Sequence, residues 1–149
     1  MAESVLRARI AEAGLAAAVT LDSGGTGDWH VGQPMVSQAR TALARRGYDG
    51  SAHRARQFQV SWLPERDLVL AMDARNLAAL RRMAGPPERQ RIRLFGQVGG
   101  LGEIGDGEIP DPYGEDDAEF GHVLDLLDAA APVITARLAE LLGRPAAPA

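Results

Sequence analysis

Apolar positions in the first thirteen residues recur at helical spacing. Val5, Leu6, Ile10 and Ala13 share one face, and Glu3, Arg7 and Glu12 lie off it. The pattern predicts a helix over 2–13, stopped by Gly14. Its start is anomalous, because a helix opening at residue 2 has no N-cap residue ahead of it. Ala17 to Leu21 is a short apolar run that reads as a buried strand, followed by the Gly-rich loop Ser23-Gly24-Gly25-Thr26-Gly27-Asp28. Gln38 to Arg46 reads as a second helix with Ala39, Ala42 and Leu43 inward and Gly47 at its end. Ser51 to Arg56 suggests a helical turn capped by Ser51.

The next runs are of a different kind. Leu68-Val69-Leu70-Ala71-Met72 is apolar throughout, which suits a parallel strand covered on both faces. Asp73 ends it and can cap a helix over Ala74 to Met83, which Gly85-Pro86-Pro87 breaks. Arg91 to Phe95 alternates as a third strand, and Gly96 to Pro110 reads as a long loop. Phe120, Val123, Leu124, Leu127, Val133, Ile134, Leu138 and Leu141 carry a long last helix, which Pro132 is expected to bend or interrupt.

Helices alternating with strands predict an α/β domain over 1–143, a small parallel sheet with helices on both faces, and a disordered tail over 144–149. Ligands of such sheets sit beyond the C-terminal ends of the strands. Three strands are few for four helices, and the first helix has no strand to cross over from, so the pattern is that of a sheet lacking its first strand.

Composition narrows the chemistry. The chain has 149 residues, a net charge of −4, no cysteine, and arginine as its only strong base. Thiolate metal sites, cysteine nucleophiles and lysine Schiff bases are therefore absent from these residues. The negative balance argues against nucleic-acid partners. No run nears the roughly 18 apolar residues of a membrane span, and Glu3 stands where a signal peptide carries bases, so a cytoplasmic protein is expected. His30, His53 and His122 have no metal-ligand spacing, and no metal or cofactor is expected.

The candidate chemistry lies in loops. Asp111-Pro112-Tyr113 either starts a turn or presents a general acid beside an aromatic. Trp29, in the polar stretch Asp28-Trp29-His30-Val31-Gly32, either walls a pocket for a planar ligand or covers the core edge. Gly24-Gly25-Thr26-Gly27 lacks the lysine of a phosphate-binding loop and reads better as a flexible turn. His53 suits a structural hydrogen bond, and Glu115-Asp116-Asp117 a solvated helix N-terminus.

Together, Asp22 to Gly32, then Gly47-Tyr48-Asp49 with Ser51 to Gln57, then Asp67 to Asp73 with Asn76-Leu77, then Pro110-Asp111-Pro112-Tyr113 strongly resemble the low molecular weight protein tyrosine phosphatases. The resemblance runs from Met1 to about Leu142 and rests on four segments in the right order. It implies a sheet of strand order 2-1-3-4 whose central first strand, with the Cys-x5-Arg phosphate loop that follows it, stands ahead of Met1. About 10–15 residues would supply that strand and loop.

It further implies hydrolysis of phosphotyrosine through a phosphocysteine, with Asp111 as general acid. Trp29 and Tyr113 would wall the substrate ring, and Ser23, His53 and Asp73 would support the phosphate loop. The partner would be a phosphotyrosine protein or a small aryl phosphate, with no nucleic acid and no membrane. Two departures stand out. Val36-Ser37-Gln38 replaces the family's usual Asp-Pro-Arg, and Gly114 stands where many members carry a second aromatic, which implies a more open rim. Above all, the 149 residues lack the nucleophile. Two readings follow: a phosphatase whose thiol is encoded upstream of Met1, or a phosphatase-like remnant that binds without turnover.

Overall fold

A computed structural model describes residues 1–102 and 105–143. The expected tail at 144–149 lies outside the described residues. Helix α1 spans Ala2–Glu12 and buries Val5, Leu6 and Ile10, with no side-chain hydrogen bond capping its start. Gly14, at φ +70°, turns the chain back, and Leu15 follows it into the core.

Ala17 to Leu21 is not a strand. Its apolar side chains still do what the pattern asks, since Val19 and Leu21 pack against the main core. Alternating apolar residues become a strand only where a neighbour completes the ladder. Among the described residues that neighbour exists one step later and at one position, the parallel bridge between Gly25 and Gln57. There the Gly25 N–H donates to Arg56 O and the Phe58 N–H to Gly25 O, both at 2.8 Å.

Helix α2 spans Ser37–Arg45 and buries Ala39 and Leu43. The expected helical turn at Ser51 is a hydrogen-bonded bend instead. Asp49 Oδ1 accepts from the Ser51 N–H at 2.8 Å, so the carboxylate two residues earlier sets the turn and Ser51 caps nothing. A 3-10 helix over Val60–Glu65, unannounced by periodicity, buries Leu63.

The sheet has two strands among the described residues, β1 (Val69–Ala71) and β2 (Ile92–Leu94), parallel and in register Val69 to Ile92 and Ala71 to Leu94. They are joined by α3 (Ala74–Met83) and the short α4 (Pro86–Arg89). Strand side chains alternate between faces. Val69, Ala71, Ile92 and Leu94 pack with Leu63, Leu80 and Ala84 on one face. Leu70 and Met72 join the larger core of Val5, Leu6, Ile10, Leu43, Phe95 and Leu124 on the other. Val69 to Met72 thus find cover on one face or the other, Leu68 alone joining neither core, and helices lie on both faces as expected.

After β2 the chain enters α5 (Phe95–Val98) at once, where a loop was expected. Small residues permit this. A Cβ on Gly96 would come within 2.5 Å of Gly107 O, and one on Gly99 within 2.3 Å of the Ala130 Cβ. A short 3-10 segment, Gly105–Gly107, follows.

Helix α6 runs unbroken over Asp117–Leu141. Its N-cap is Asp116, whose carboxylate accepts from the Ala118 and Glu119 N–H groups. Pro132 does not interrupt it. The proline sits on the exposed face, while Ala131, Ile134 and Thr135 beside it are buried and hold the helix down on both sides of the lost hydrogen bond. Thr135 Oγ1 donates to Ala131 O at 2.8 Å. A polar clasp ties α6 to α1 and α2. Arg46 donates to Asp125 and Asp128, Tyr48 donates to Asp128, and Arg9 donates to the Tyr48 hydroxyl.

Candidate active site

Parallel strands deliver their C-terminal ends to one side of the domain, and the acidic loop gathers there. Ile109 N–H donates to Met72 O, just past β1, at 2.7 Å. Glu108 Oε1 accepts from the Ala74 N–H at the start of α3. These contacts carry Asp111 beyond the strand end. Asp111 is exposed, and its Oδ1 accepts from the Tyr113 N–H at 3.1 Å. The segment is therefore a turn made by Asp111 itself. Its Oδ2 has no hydrogen-bond partner among the described residues, so only one carboxylate oxygen is engaged.

The Trp29 loop stands against the same segment. The His30 and Tyr113 rings lie 5.3 Å apart, tilted by 41°. His30 Nδ1 is 3.2 Å from Gln33 Oε1. The loop is tied to the 53–57 stretch through Gly32 N–H to Ala55 O and Ala55 N–H to Gln33 O. Trp29 and Tyr113 are 79% and 58% exposed, so neither serves as core. The Trp29 ring lies on Gly27, where a Cβ would fall 1.6 Å from ring atom Cζ3. Gly27 is thus the space in which the indole lies.

Ser23 and His53 meet at a third residue, Glu3, in the first turn of α1. Ser23 Oγ donates to Glu3 Oε2 at 2.5 Å, and Arg7 donates to Oε1. His53 Nδ1 lies 3.9 Å from Oε2. Burial pushes the Glu3 carboxyl up, but the hydrogen bonds from Ser23 and Arg7 outweigh it and hold the group below the usual carboxylate range. His53 moves down as well. Burial is the main cause, and the Met1 ammonium adds repulsion. Glu3 opposes both and loses. The imidazole is therefore biased toward its neutral form beside a carboxylate biased toward its charged one.

As a site residue Glu3 escaped the sequence reading, which placed it off the apolar face and against a signal peptide; an acid in the first turn of an uncapped helix was the available signal. Asp22 and Arg66 escaped it too. Arg66 bonds both Asp22 oxygens, Arg56 approaches at 3.3 Å, and both guanidiniums lie over the Trp62 ring. Burial raises the Asp22 carboxyl, and the two arginines more than reverse it.

Asp73 stands apart from this cluster. Its carboxylate accepts from the Asn76 N–H at 2.6 Å as the N-cap of α3, and no hydrogen bond joins it to Ser23 or His53 among the described residues. Gly24 packs on Phe58 and Trp62 and Gly25 bridges Gln57, so the Gly-rich stretch is committed to backbone contacts. No three His, Asp or Glu residues are grouped to hold a metal among the described residues.

The domain thus places one carboxylate and two exposed aromatics on the loops past its strand ends, the side on which parallel α/β sheets take their ligands. The chain matches the low molecular weight phosphotyrosine protein phosphatase family over residues 1–142 and belongs to it, a family of protein tyrosine phosphatases. It is 43% identical over 142 residues to the low molecular weight protein-tyrosine-phosphatase of Streptomyces coelicolor, covering 94% of this chain and 85% of that one. It is 33% identical to low molecular weight protein-tyrosine phosphatase A of Mycobacterium tuberculosis, covering 97% and 86%. Among solved structures, the protein tyrosine phosphatase of Entamoeba histolytica superposes with a TM-score of 0.84 at 27% identity, covering 95% of this chain and 88% of that one.

Proposed function

We propose that these residues form the acid, wall and support half of a phosphotyrosine hydrolase. In this reading a cysteine thiolate attacks phosphorus and the P–O bond to the tyrosyl oxygen breaks. Asp111 gives its proton to that oxygen as it leaves. Water then attacks the phosphocysteine, Asp111 takes the proton back, and inorganic phosphate leaves with the thiolate restored. Trp29 and Tyr113 flank the substrate ring, which an aliphatic phosphoester is too short to reach past. Ser23, Glu3 and His53 hold the floor beneath the phosphate, and Asp73 fixes α3 beside it.

The carrying observation is the Asp111 turn, with one oxygen bonded by the Tyr113 N–H, the other unpartnered among the described residues, and the exposed Tyr113 ring against the loop that carries Trp29. The 149 residues contain no cysteine, so the thiolate is not among them. We infer that a Cys-x5-Arg loop encoded ahead of Met1 supplies it and completes one catalytic domain with residues 1–143. A cytoplasmic setting suits that chemistry, since it keeps a thiol reduced. No helix of the described residues is long and apolar enough to cross a membrane.

The missing thiol also favours a second reading, capture of an aryl phosphate without turnover. One experiment separates the two. The chain as given is expected to leave para-nitrophenyl phosphate intact. The chain translated from the preceding in-frame codons is expected to hydrolyse it. An upstream stop codon, or an extended chain still inert, rejects the hydrolase and leaves the binding module.

A further inference from the structure

Residues 74–95 hold six arginines and one glutamate, a local charge of +5 in a chain of net charge −4. Three of them, Arg81, Arg89 and Arg93, share one open depression of about 460 Å3 with Gln90. Gln90 leads into β2, so the depression lies at the N-terminal end of the strands, opposite the Asp111 loop.

The three guanidiniums are tethered by backbone carbonyls. Arg81 Nη2 donates to Ile92 O, Arg89 Nε to Arg81 O and Ala84 O, and Arg93 Nε to Gln90 O. The other Nη groups of the three have no partner among the described residues, and none of the three arginines forms an ion pair there. Three positive forks are thus held side by side with no counter-charge. Mutual repulsion disfavours that grouping, and an anion bound across it relieves the repulsion. Guanidinium forks match phosphoryl oxygens in pairs.

A second depression shares Gln90 and Arg93 and continues over Leu68, Pro86, Pro87 and Leu141, with Asp67 and Arg91 also in its lining. Leu141 is 79% exposed there. The cationic floor therefore adjoins an apolar strip of Leu68, Pro86, Pro87 and Leu141 that carries one acid, Asp67, and one further base, Arg91. We propose that this surface binds a phosphorylated peptide segment, with the phosphoryl dianion on Arg81, Arg89 and Arg93 and a following apolar side chain against Leu68, Pro86, Pro87 and Leu141. The assignment does not depend on turnover at Asp111, since it uses the other end of the sheet.

The test is a titration of the full chain followed by the arginine Nε–H signals in NMR. The probes are a phosphoserine-leucine peptide, its unphosphorylated form, and inorganic phosphate. Phosphoserine keeps the probe from acting as an aryl phosphate. Saturable shifts of Arg89 and Arg93 are expected with the phosphopeptide, with binding about tenfold weaker for inorganic phosphate and for the unphosphorylated peptide. Arg93→Gln and, separately, Arg81→Gln are each expected to weaken the phosphopeptide about tenfold. Equal binding of the two peptides, phosphate binding as tight as the phosphopeptide, uniform unsaturated shifts of all arginines, or full affinity in both variants overturns the proposal.

Discussion

The Ser23 hydroxyl donates to the Glu3 carboxylate at 2.5 Å, joining the first turn of α1 to the loop that follows Leu21. Both partners are part-buried, and the acceptor is charged, so this bond belongs to the stronger class. Ser23→Ala is expected to destabilise the chain by about 1–2 kcal/mol, measured by urea unfolding. Adding Glu3→Gln should cost less than its single effect, because the pair is already broken. Fully additive losses would show that the two residues act separately.

Acid should weaken the fold in two stages. His53 titrates lower in the folded chain than its ordinary 6.5. A base with a depressed folded pKa binds fewer protons when folded, so stability falls as pH drops below about 6.5 and the unfolded imidazole gains its proton first. Glu3, Asp22 and Asp128 titrate below their ordinary 4.5 and 3.8. Their contribution is present above those values and is lost as pH falls through the folded ones. Melting temperatures from pH 8 to pH 3 should show both limbs, and His53→Gln should remove only the upper one.

The clasp on α6 offers a cleaner probe. Tyr48 donates to Asp128 and accepts from Arg9. Burial and the Asp128 charge raise the phenol, which keeps it a donor at neutral pH. Tyr48→Phe keeps the ring and removes both bonds. A loss of about 1–2 kcal/mol is expected in chemical denaturation, and an unchanged midpoint would mean that Arg46 and Arg9 suffice to hold Asp128.

Close approach of α5 to α6 depends on Gly99. Its missing Cβ would lie 2.3 Å from the Ala130 Cβ. Gly99→Ala should cost about 1–3 kcal/mol through overpacking. Gly121→Ala, with nothing within 4 Å among the described residues, is the control and should not melt below the parent.

Gly27→Ala should displace the indole that lies on it, since the new methyl would fall 1.6 Å from the Trp29 ring. A shift in tryptophan emission that is absent from the Trp29→Phe background would report it. In the extended chain, Asp111→Asn should slow aryl phosphates with basic leaving groups most, because those need the proton.

Local signals were the legible ones. The Asp73 cap and the Gly-Pro-Pro break set α3 at both ends, α1 ends one residue short of its expected bound, and α6 ends at the last apolar position of its pattern, because each face meets a core. The Asp111 turn and the exposure of Trp29 also lie in short stretches of sequence. What failed needed distant partners. Ala17 to Leu21 has a strand's pattern, but a ladder is made by two chains. The burial that tolerates Pro132 comes from elements a hundred residues away. Glu3 gains its meaning only where Ser23 and His53 arrive.

Because the strands run parallel, Arg81, Arg89 and Arg93 gather where they begin, and Glu108 and Asp111 where they finish. The two ends of the sheet therefore carry patches of opposite sign, arginines at one and carboxylates at the other, whatever the overall balance of the chain. At neutral pH and low salt it should be retained on cation-exchange as well as anion-exchange resin, and a charged partner diffusing toward it would be turned end-on before contact.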